Sequence, residues 1–67
     1  MSAWTQPYLG VQHLETDRYL CTVTDWETFS DLTIYRKPIR ISEAQDHTFY
    51  GPGHLENAKN YCESEIK

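Results

Sequence analysis

The spacing of apolar residues changes period once along this chain, and that switch restricts the folds open to it. In residues 18–25, Tyr19, Cys21 and Val23 alternate with Leu20, Thr22 and Thr24. A period of two with dense β-branched residues is the pattern of a half-buried strand. In residues 54–66, Leu55, Ala58, Cys62 and Ile66 recur at steps of three, four and four, and Tyr61 widens the stripe. Glu56, Asn57, Lys59, Asn60 and Glu63 occupy the other side. This is an amphipathic helix. A helix of this length is marginal alone, so it needs a sheet to lie on.

The remaining segments supply that sheet. Residues 8–14 form a weaker strand with Leu9 and Val11 on one face, and Glu15-Thr16-Asp17 supplies turn chemistry. Residues 27–31 are expected as a loop. Residues 32–36 form a strand with Leu32 and Ile34 inward and Thr33 and Tyr35 outward. Ile39 and Ile41 then fall out of phase with Leu32 and Ile34. One regular strand cannot place all four on one face, and Pro38 cannot donate to a ladder. A bulge or break is therefore expected at Lys37-Pro38. Residues 42–46 turn the chain, residues 47–50 form a short last strand, and Gly51-Pro52-Gly53 ends it. The expected fold class is α+β, with a small antiparallel sheet of three or four strands and one C-terminal helix packed on one face (ββββα). It forms a single domain over residues 1–67, with residues 1–6 a loose N-terminal arm on which Trp4 is the one residue suited to docking. The expected core is Leu9, Val11, Tyr19, Cys21, Val23, Leu32, Ile34, Ile39, Ile41, Phe49, Leu55, Ala58, Cys62 and Ile66.

Size constrains function. A chain of 67 residues buries only roughly 60% of the surface its unfolded form exposes. Such domains usually gain stability from disulfides, a metal or association. The two cysteines, Cys21 and Cys62, both fall in the expected core and are read as buried reduced thiols in preference to a strand-to-helix disulfide. Association, with another protein or with itself as a homo-oligomer, is then the expected compensation. The first residues carry neither a basic nor an apolar leader segment, and no long apolar run is present. The expected location is cytoplasmic, with no membrane partner. Ten acids against six bases give a net charge of −4, which makes nucleic acid an unfavoured partner.

No cofactor or metal site is expected. His13, His47, His54, Cys21 and Cys62 show no ligand spacing. Ser30 or Cys62 could be set beside a histidine on paper, but nothing in their spacing favours a nucleophile–base pair. Gly51-Pro52-Gly53-His54 precedes the helix, yet Pro52 removes a backbone donor and Glu56 complements the helix dipole itself. The chain is therefore expected not to be an enzyme.

Three surfaces remain. With Cys21 facing the helix, Leu20, Trp26 and Tyr35 fall on the opposite side of the sheet, and aromatic residues there suit a protein interface. Tyr35, Arg36, Lys37 and Arg40 form the basic cluster that could meet a nucleic-acid strand, although charges and a proline also protect sheet edges. Asp25, Glu27, Asp31, Glu43 and Asp46 could imitate a nucleic-acid backbone, but successive loops of a simple meander lie at opposite ends of a sheet. The favoured expectation is a small non-enzymatic protein-binding module, an inhibitor or accessory subunit, of which a phage or mobile-element inhibitor is one version. Nucleic-acid binding and acidic mimicry are the alternatives.

Overall fold

A computed structural model describes residues 4–66. Four strands, β1 (Val11–Glu15), β2 (Tyr19–Asp25), β3 (Phe29–Arg36) and β4 (Gln45–Tyr50), form one antiparallel meander in the order β1-β2-β3-β4. A 3-10 turn over Ile41–Glu43 joins β3 to β4, and one helix, α1 (His54–Glu65), closes the chain. The α+β sheet-and-helix architecture is the one the period switch predicts. α1 lies across β2, β3 and β4. The buried core beneath it is Leu14, Cys21, Val23, Leu32 and Ile34 from the sheet, with Ala58 and Cys62 from the helix. Trp4, Tyr19, Phe49, Leu55, Tyr61 and Ile66 pack around its rim.

Four expectations about the core and its edges need correction. The first strand sits one residue out of phase: Gln12 and Leu14 are buried, Val11 is half-buried on the other face and Leu9 is exposed. The cause is a tight turn. Tyr8 and Val11 exchange backbone hydrogen bonds of 3.0 and 2.9 Å, with Leu9 and Gly10 between them at φ 52° and 78°. Two-residue turns of this kind require positive φ at both central residues, so Leu9 is committed to the turn. Second, the chain before that turn is held: the Thr5 N–H donates to the His13 carbonyl at 2.9 Å, and Gln12 Nε2 donates to the Thr5 carbonyl at 2.9 Å. Residues 1–3 of the expected loose arm lie outside the described residues.

Third, Ile39 and Ile41 are exposed, not core. The strand break falls where the phase conflict predicts it: β3 ends at Arg36, the Lys37-Pro38 peptide is cis, and no strand resumes before Gln45. The two isoleucines belong to the connection and have no sheet face to join. The expected loop over residues 27–31 is shorter, since β3 starts at Phe29 and already buries Ser30. Fourth, Cys21 and Cys62 are joined in a disulfide, not held as free thiols. The alternation of β2 and the stripe of α1 bring both to the same interface, which neither segment shows alone.

Two stability outcomes follow. The disulfide closes a loop of sequence separation 41, for which the chain-entropy account gives about 2–4 kcal/mol. Denaturant unfolding with and without a strong reductant measures it, and equal stability would remove the bond from the fold's support. Leucine in the left-handed region costs roughly 1–2 kcal/mol, and Asn-Gly is the preferred pair in such turns. Leu9→Asn is expected to raise stability by about 1 kcal/mol, read as a higher thermal midpoint.

Candidate functional site: the outer sheet face and its turn end

With α1 on one face, the other face of the sheet is open among the described residues. The register assembles it in rows. Glu15, Leu20 and Tyr35 form one end. His13, Thr22, Thr33 and Asp46 come next, then Val11, Thr24, Asp31 and Thr48. Phe29 and Tyr50 pair at the far end. The middle rows are polar and internally bonded: Thr33 Oγ1 donates to Asp46 at 2.8 Å, Thr48 Oγ1 donates to Asp31 at 3.0 Å, and Thr22 Oγ1 lies 3.2 Å from His13 Nδ1.

The expected docking group of Leu20, Trp26 and Tyr35 does not form one patch. Leu20 and Tyr35 are cross-strand partners and both half-buried. Trp26 lies past the other end of β2, about 20 Å away at roughly 3.4 Å per residue. There it joins an aromatic cluster: its ring centroid is 6.3 Å from Phe29, which is 5.7 Å from Tyr50. Trp26 Nε1 donates to Asp31 at 3.1 Å, which fixes the indole on this face. The Leu9-Gly10 turn reaches the same end, because the Asp25 N–H donates to the Gly10 carbonyl at 2.8 Å. The large apolar side chains exposed at this end of the sheet are Leu9 86%, Tyr8 76%, Tyr50 73% and Trp26 56%. Tyr8, Leu9, Phe29 and Tyr50 were missed as site residues because their convergence depends on two turns. The cue available in sequence was Leu9-Gly10, a bulky residue before glycine.

The acidic residues divide. Asp25, Glu27 and Asp31 stand at the aromatic end, where Asp25 accepts the Glu27 N–H at 2.9 Å and Glu27 takes φ 75° in the β2–β3 turn. Asp46 shares the outer face with Asp31, one row along and one strand over. Glu43 lies apart, in the 3-10 turn. No continuous acidic stripe results.

The basic cluster borders a groove of about 290 Å³ lined by Arg36, Lys37, Pro38, Arg40 and Glu43. Two of its cations already face acids. Lys37 Nζ donates to Glu15 at 2.5 Å, and Arg40 lies 3.9 Å from Glu43. Tyr35 points to the outer face, whereas Arg36, paired with Tyr19, points to the other. Ring and guanidinium are thus split between opposite sides of the sheet.

Ser30 and His54 are brought together. His54 Nε2 donates to the Glu27 carbonyl at 2.8 Å, so the neutral ring presents Nδ1 as the acceptor for the Ser30 hydroxyl at 2.6 Å. Ser30 is fully buried, so its oxygen has no approach for a substrate. The bonds instead tie the first residue of α1 to β3 and the β2–β3 turn. His47 is buried at its Nε2 with no hydrogen-bond partner among the described residues, against the Tyr61 ring at 4.7 Å. Among the described residues no group of three or more potential ligands converges on a metal position, and no helix is long and apolar enough to cross a membrane.

Comparison with known protein families, with curated proteins and with solved structures finds no match to this chain.

The Lys37 ammonium, by hydrogen bond and by charge, holds the Glu15 carboxyl below its ordinary range. A lowered folded value means the pair's contribution is complete above the unfolded carboxylate range, about 4.3, and is lost as pH falls through the folded value. In Lys37→Met the Glu15 titration is expected to move up to the ordinary range, read by NMR of the side-chain carboxyl. No movement would show that Lys37 does not set it.

Proposed function

We propose that this chain is a small non-enzymatic protein-binding module that docks through the aromatic end of its outer sheet face. The supporting observation is the contiguous ring cluster of Trp26, Phe29 and Tyr50 on a face that α1 leaves open, with Leu9 and Tyr8 exposed at the same end of the sheet. Scattered exposed apolar residues need no explanation, but contiguous patches mark interaction surfaces. Trp and Tyr are the residues that most often dominate such interfaces. Leu9 adds a second sign: an exposed leucine is kept in a backbone conformation that disfavours it, and local rules are most often broken at functional positions.

Asp25, Glu27 and Asp31 flank this end, so the complementary partner surface is apolar at its centre and basic at its rim. An inhibitor or accessory subunit that covers a basic surface fits this chemistry. Cytoplasmic residence remains part of the proposal. Disulfides are rare in reducing compartments, but both Cys21 and Cys62 are fully buried, and thiol exchange needs access to sulfur.

Affinity capture from the source cells tests the reading. Trp26→Ala and Leu9→Asn are each expected to lower partner recovery at least tenfold, while Leu20→Ala with Tyr35→Ala retains it. Leu9→Asn is the sharper probe, because it is expected to stabilise the fold as it removes the contact. Undiminished recovery with both Trp26→Ala and Leu9→Asn would reject the aromatic end as the docking surface.

A further inference from the structure

The two edges of the sheet are finished differently. The β1 edge is covered by the chain's own N-terminal segment, through the Thr5–His13 and Tyr8–Val11 backbone bonds. β4, among the described residues, pairs with β3 alone. In an antiparallel ladder alternate residues aim N–H and C=O away from a single neighbour, so half of the backbone groups of Gln45–Tyr50 face outward without a strand. Edges are normally guarded by lysine, proline, a bulge or a covering loop. β4 reads QDHTFY, with Asp46 its one charge, and its register to β3 is unbroken from Gln45 to Tyr50.

We propose that β4 pairs antiparallel with β4 of a second copy about a two-fold axis at Thr48, joining two four-stranded sheets into one of eight. Directly opposed residues of an antiparallel pair share a face, so a symmetric seam must centre on a residue, not between two. Centred on Thr48, it sets Asp46 opposite Tyr50 twice, Thr48 opposite Thr48, and His47 opposite Phe49 twice. The Asp46 carboxylate spends Oδ1 on Thr33 and keeps Oδ2 for the exposed Tyr50 hydroxyl of the other copy. No like charges meet. His47 and Phe49 already pack on Tyr61, at 4.7 and 5.6 Å, so the seam lengthens an aromatic row on the helix side. Centring on His47 instead opposes two imidazoles and leaves Tyr50 unpaired. A second copy also answers the size constraint, since the chain's own core is small. The seam and the proposed docking end share Tyr50, and their failures are told apart at Trp26 and Leu9, which the seam does not use, and at Thr48, which the docking end does not use.

Light scattering from micromolar to millimolar concentration tests it, with a mass of twice 7.9 kDa expected at the upper end. Thr48→Lys sets two ammonium groups across the axis and is expected to raise the dissociation constant at least tenfold, with circular dichroism unchanged. Thr22→Lys, on the same face but on β2, is expected to leave it unchanged. Tyr50→Phe, which removes only a hydroxyl, is expected to weaken association several-fold and tests the register even if Thr48→Lys does not fold. A wild-type monomer at millimolar concentration, an undisturbed dimer in Thr48→Lys, or equal loss in Thr22→Lys overturns the β4 seam. Undiminished association in Tyr50→Phe overturns the Thr48-centred register.

Discussion

The seating of α1 on the Cys21 face of the sheet is the constraint from which the other features follow. Ala58 and Cys62 are fully buried against Cys21, Val23 and Leu32, and the disulfide fastens the middle of the sheet to the last turn of the helix. At the helix start, His54 reaches Ser30 and the Glu27 carbonyl. The helix is therefore fastened at both ends. A chain of 67 residues has a total stability of only about 3–10 kcal/mol at roughly 0.05–0.15 kcal/mol per residue. A cross-link contributing about 2–4 kcal/mol is a large share of that, more than any exposed ion pair here contributes.

One helix covers one face, so the same packing that builds the core leaves the other face open. Its middle is a lattice of Thr and Asp side chains that satisfy one another, which suits a surface in water. Its turn end is different: aromatic rings and Leu9 stand exposed beside carboxylates. The contrast between a self-satisfied middle and an apolar end is what supports the proposed docking surface. The basic cluster at the opposite end lacks that contrast, because Lys37 and Arg40 face Glu15 and Glu43. The proposed docking end and the proposed β4 seam are different parts of one sheet that meet at Tyr50.

The fold was readable wherever a segment's own period decides its burial. Tyr19 to Val23 and Leu55 to Ile66 carried their assignments into the structure, because alternation and the helical stripe are local. Pro38 marked the strand break through the phase conflict around it. The site was less readable. Trp26 was singled out from its residue type, yet Tyr8, Leu9, Phe29 and Tyr50 come from three separate places in the chain, and only the hairpin registers bring them to one end. Leu20 and Tyr35 were placed on the correct face but about 20 Å from Trp26, since facing follows from parity and distance along the sheet does not.

The sequence by itself determined the class of structure: periodicity is a local property, and a period of two followed by 3.6 has few packed solutions. Tertiary structure decided what depends on separated segments meeting. The inward phase of β1 was set by a turn and not by its apolar residues, so Gln12 went in and Val11 out. Ile39 and Ile41 lost their place in the core because no strand passed beneath them. Cys21 and Cys62, each only a small buried residue in its own segment, became a bond when the helix crossed the sheet.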